Sequence, residues 1–100
     1  MYFITCFEKC ERDEEGEFDG GATRTFGYEE TLDEAEAALI FNVCDMHEYL
    51  YEYAVVEKIG PYIHPEVEEE IWFKWDEEKQ GFFRIERPEA TYGVCNHALG

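Results

Sequence analysis

The sequence predicts an α+β fold: a single antiparallel or mixed sheet of about five strands, in the order ββαβββ, with one main helix packed on one face. Three features predict it. Segment 2–9 is apolar on both faces of a strand, and segment 70–75 sets Ile71, Phe73 and Trp75 on one face at the two-residue period of a strand. Segment 32–42 repeats apolar residues at helical spacing behind a capping signal. Apolar residues make up 45% of the 100 and aromatics 17%, enough to close one core in a single domain over residues 1–100.

Each element follows from its own residues. Residues 2–9 read as a strand apolar on both faces, with Tyr2, Ile4 and Cys6 on one and Phe3 and Phe7 on the other, which predicts a central position. Glu11–Glu17 concentrates charge ahead of Gly20-Gly21 and reads as an exposed loop or a wide hairpin connection, after which β-prone Thr23–Tyr28 closes an antiparallel hairpin with the first strand. Thr31-Leu32-Asp33-Glu34 fits a capping box, in which the Thr31 hydroxyl and the Glu34 carboxylate each take an orphan backbone N–H. Leu32, Ala35, Ala38, Leu39 and Val43 then form one apolar stripe, and the helix is expected over 32–42.

Asp45 could cap one further turn through Glu48. Residues 51–59 read as a strand with Tyr51, Tyr53, Val55 and Ile59 on one side, ended by Gly60-Pro61, and 62–68 as a loop. In 70–75, Ile71, Phe73 and Trp75 share a face opposite Trp72; the polar turn 76–81 leads into 82–87, with Phe83 and Ile85 expected on the core face. Pro88-Glu89 starts a short helical turn. Trp72, Tyr2 and Phe82 are expected on the face away from the helix, where uncovered aromatics would mark a binding surface.

The charge excludes several functions. Eight Lys and Arg face 25 Asp and Glu, a formal charge of −17. Direct nucleic-acid binding depends on clustered cations, and an anionic membrane would repel the chain for the same reason. Met1 to Glu8 carries no basic leader, and no apolar run approaches the ~20 residues of a membrane span. A cytoplasmic chain with free thiols is expected.

The chemistry-bearing residues point away from catalysis. Cys6 and Cys10 are four apart on a strand, ~13 Å along its axis and too far for one tetrahedral ion. Cys44-x2-His47 and Cys95-x-His97 could together make a Cys2His2 site only if the fold joined them, so no metal and no cofactor are expected. The chain has no serine, and carboxylates near either Cys/His pair would oppose a thiolate. Twenty glutamates make any carboxylate spacing occur by chance.

Three stretches, 24–28, 44–51 and 53–57, together with the ending Cys95-Asn96-His97-Ala98-Leu99-Gly100, resemble a family of short acidic proteins from bacterial and prophage genomes. No activity, cofactor or site is assigned to that family, so the resemblance transfers no functional residues; it implies a cytosolic, mobile-element context. The function expected is a non-enzymatic acidic module, an inhibitor docking on the basic, nucleic-acid-binding surface of another protein, since Arg accepts carboxylate and phosphate in the same bidentate geometry. Its contact residues would be Glu14, Glu15 and Glu17 of the acidic loop, Glu29, Glu30, Asp33 and Glu34 at the helix start, and Trp72. The alternative is a small-ligand or nucleotide-sequestering protein, oligomeric, with a pocket of Tyr28, Trp72 and Tyr53 beside Arg24 or Arg84. Charge distribution separates the two, because an anion binder must gather its few cations in a concave site.

Overall fold

The computed structural model describes residues 1–48, 50–60, 67–94 and 97–98. Its strands are β1 (Tyr2–Phe7), β2 (Glu11–Arg12), β3 (Phe18–Asp19), β4 (Thr23–Glu29), β5 (Tyr53–Ile59), β6 (Val67–Asp76) and β7 (Gly81–Ile85), with one α-helix, α1 (Leu32–Ile40), between β4 and β5. Five strands form one antiparallel sheet in the order β4-β1-β5-β6-β7, and β2 and β3 form a small separate ribbon. The α+β class and the chain order follow the sequence. β5 takes the centre and β1 lies beside it, so the first strand is interior, as its two apolar faces predict.

The helix covers what is here termed the front face. Ile4, Cys6, Ala54, Val56, Phe73 and Trp75 meet Ala35, Ala38 and Leu39 there, and the small alanines let the helix approach closely. The Thr31 hydroxyl accepts from Glu34 N at 3.2 Å, as the capping box requires. Its reciprocal half differs, because the Glu34 carboxylate accepts the Thr31 hydroxyl at 2.9 Å rather than a backbone N–H. The helix stops at Ile40, two residues short of expectation, because Asn42 turns left-handed at φ 48°.

The back face is covered as well, by the β2–β3 ribbon and the segment after β7. Phe7, Val55 and Trp72 form a second cluster there, with Phe18 and Ile85 packed against it. Trp72 is 2% exposed, so the expectation of an uncovered aromatic face fails at that residue. Tyr2 and Phe82 belong to the front cluster, not to the back. The register explains Phe82: Trp75 pairs with Phe82 and Lys74 with Phe83, so Phe82 shares the core face of Trp75, while Phe83 and Ile85 point to the back.

The acidic segment 11–17 belongs to the β2–β3 ribbon, in line with the hairpin connection that was one of its two readings. Two smaller expectations change. Val67 and Glu68 belong to β6, a ten-residue strand, whereas 62–66 lie outside the described residues. Asp45 caps no turn. It is left-handed itself at φ 52° and accepts the Asn42 side-chain amide at 3.1 Å.

Candidate functional site

Strand β4 forms one edge of the sheet, with no further strand beside it among the described residues. Glu8 N donates to Ala22 O at 2.9 Å, which sets the phase of the β1–β4 ladder. In an antiparallel pair every second residue turns its N–H and C=O away from the partner. Thr23 and Thr25 therefore direct theirs to the open side, and past the bulge between Ile4 and Thr5 so does Tyr28.

A concavity borders this edge on each face. On the back, a polar cleft of about 580 Å³ is lined by Thr5, Thr23, Thr25, Asp19, Phe18 and His97. On the front, an apolar cleft of about 120 Å³ lies between Phe26 of β4, Ala38 of the helix and Val43 and Met46 of the loop after it. That loop is strained, with Asn42, Cys44, Asp45 and Glu48 all at positive φ between 48° and 58°. Such conformations cost of order 1–3 kcal/mol each and persist where surrounding structure compels them. The strained loop presents Phe41 and Val43 to solvent, 76% and 48% exposed, and Tyr28 is 54% exposed on the strand itself.

Carboxylates surround the edge. Asp19 lines the back cleft, Glu8 lies against Gly21, Glu29 ends the strand and Glu30 follows it. The nearby cations are already engaged: Arg24 with Glu48 at 3.3 Å and over the Phe26 ring, Lys9 with Asp19 at 3.1 Å.

The acidic contact residues expected from the sequence divide between two places. Glu14 and Glu15 sit at the turn of the ribbon on the back face, held by the Asp13 carboxylate, which accepts Glu15 N and Glu17 N at 2.9 and 3.0 Å. Glu29, Glu30, Asp33 and Glu34 sit where β4 passes into the helix on the front. One continuous surface of the two groups is not formed. Trp72 is interior and offers a partner nothing. The alternative pocket is not assembled either, since Arg24 is on β4 and Arg84 on β7, at opposite edges of the sheet, with Arg84 paired to Glu36 at 2.6 Å.

The cysteine and histidine candidates are separated too. Cys6 faces the front core and Cys10 the back cluster, with burial pushing both thiols up to about 12, aided at Cys6 by the charge of Glu48. Cys44 is exposed in the strained loop; His47 is stacked on Trp75 at 3.8 Å on the front, with Nδ1 2.7 Å from Tyr51 O. His97 is on the back between Phe7, Phe18 and Trp72 at 5.0–5.6 Å, and Cys95 lies outside the described residues.

A buried polar cluster on the back face went unnoticed in the sequence. Glu57 is 0% exposed, and its carboxylate accepts His97 N at 2.9 Å and Ala98 N at 3.0 Å. Beside it, Glu70 accepts the Trp72 indole N–H and pairs with Arg87 at 3.4 Å. Arg87 in turn donates to Thr91 O and Val94 O at 2.7 Å each. Burial holds the His97 imidazole below its ordinary pKa, against the pull of Glu57 and Glu70 and with a small push from Arg87. A clue was available: Glu57 follows Tyr53 and Val55 on one face of a strand apolar on both. This cluster clamps the segment after β7 onto the sheet.

The chain matches no family model, no curated protein and no solved structure, so the functional reading rests on its own residues and geometry.

Proposed function

We propose that this chain is a non-enzymatic acidic binding module that docks on a basic protein surface, in the manner of a mobile-element inhibitor occupying a nucleic-acid site. One observation carries the reading: all eight cations are engaged within the chain. Lys9, Arg24, Lys58, Arg84 and Arg87 pair with carboxylates. Arg12 donates to Gly16 O at 2.8 Å, and Lys74 and Lys79 lie over the Tyr53 and Phe83 rings. No concave group of free cations is left for an anionic ligand among the described residues, and the carboxylate excess faces outward. Charge of this kind steers association with a positive partner and repels nucleic acid and anionic lipid.

The test is the salt dependence of a purified complex. A basic DNA-binding protein recovered on the immobilised chain should bind it in solution with an on-rate that falls at least tenfold between low and physiological salt, and duplex DNA should compete. An on-rate indifferent to salt, or a complex that DNA leaves intact, would remove the reading.

A further inference from the structure

We infer that the open edge of β4 is the docking surface, and that its occupant is an extended, basic segment of the partner protein with alternating cationic and aliphatic side chains, added to the sheet as a further strand. This rests on the proposed acidic-module function and specifies how the contact is made.

Backbone pairing comes first. The outward N–H and C=O groups of Thr23, Thr25 and Tyr28 offer an added strand the bonds that a sheet edge supplies, and strand addition takes affinity from the main chain and specificity from alternate side chains. The two clefts then read opposite faces of the incoming strand. The front cleft, lined by Ile4, Phe26, Ala38, Val43 and Met46, accepts aliphatic side chains. The back cleft, which Arg24 also lines, offers the hydroxyls of Thr5, Thr23 and Thr25 to the long polar side chains of lysine or arginine, with the Asp19 carboxylate shared between them and Lys9. Charge decides against a second copy of this chain as occupant. Glu8, Asp19, Glu29, Glu30 and Glu48 border the edge, and two surfaces of this sign from bodies of charge −17 repel. A basic strand meets them with opposite charge.

The test titrates the full chain with three peptides: acetyl-(Lys-Val)4-amide, acetyl-(Lys-Gly)4-amide of equal charge, and acetyl-(Glu-Val)4-amide of equal alternation. The first should bind at least tenfold more tightly than either other and slow amide hydrogen exchange at Thr23, Thr25 and Tyr28. Thr25→Pro removes an outward N–H without removing a backbone bond to β1, at the loss of the 3.0 Å Thr25–Thr5 hydroxyl contact, and should abolish the preference. Val43→Asn, at an exposed position bordering the front cleft, should weaken the Lys-Val peptide about fivefold; if the proline variant fails to fold, this variant and the exchange pattern decide. Equal binding of the two lysine peptides with exchange unchanged would overturn strand addition while leaving the acidic-module reading standing. Equal binding of the Glu-Val peptide would overturn the basic occupant. A peptide-free dimer lost in Thr25→Pro would assign the edge to a second copy, and failure of both lysine peptides to bind would sink both readings.

Discussion

Replacing Glu57 by glutamine tests whether one buried carboxylate holds the segment after β7 in place. The side chain is 0% exposed and accepts two backbone N–H groups, from His97 at 2.9 Å and Ala98 at 3.0 Å. Glutamine has nearly the same shape but keeps one acceptor oxygen; its NH2 must face the other N–H, donor against donor. A hydrogen bond to a charged acceptor contributes ~1.5–3 kcal/mol, and a buried donor left unpaired costs ~1–3 kcal/mol. Allowing for overlap between the two, Glu57→Gln should lose about 2–3 kcal/mol. Against the ~5–15 kcal/mol of a small domain the variant still folds. With a urea m-value of ~1–1.5 kcal/mol/M, its midpoint should fall by about 2 M. Fluorescence gives the local signature, because the His97 ring stands edge-on to Trp72 at 5.5 Å and should leave it when the clamp opens. Emission from the variant should shift to the red before global unfolding, as Trp72 gains water. A midpoint within about 0.3 M of the parent, with unchanged emission, would refute the clamp.

Three further outcomes are expected. Thr31→Ala removes the acceptor of Glu34 N and should cost about 0.5–2 kcal/mol, read as a lowered urea midpoint. Gly81→Ala places a methyl group against the carbonyl of Ile40 at the end of α1; forcing the helix off the sheet should cost about 1–3 kcal/mol by the same measurement. The folded-state pKa of His97 lies below its unfolded value of 6.5, so its contribution is full above pH 6.5 and is lost as pH falls toward the folded value, since the unfolded chain then binds the extra proton. Urea midpoints measured from pH 7.5 downward should decline more steeply below 6.5 in the parent than in His97→Ala.

The sequence by itself determined the elements whose cause is local. The helix start was legible because the Thr31 cap acts within three residues, and the strand character of β1 and β6 because a short apolar run and a two-residue period are both properties of consecutive positions. Tertiary structure decided which face was which. A one-residue change in register exchanges the two faces of a strand, and the register of β7 is set by the Asp76–Gly81 turn, where Gln80 turns left-handed at φ 55°; that is why Phe82, not Phe83, entered the core. Tertiary structure alone also folded the β2–β3 ribbon over Trp72 and brought Glu57 to His97, forty residues away in the chain. It separated the two acidic groups for the same reason: charge counts along a chain carry no information about which face of a sheet each segment covers. The edge position of β4 was likewise invisible, because a strand's neighbours depend on contacts between distant segments, and only those contacts left Thr23, Thr25 and Tyr28 without a partner strand among the described residues.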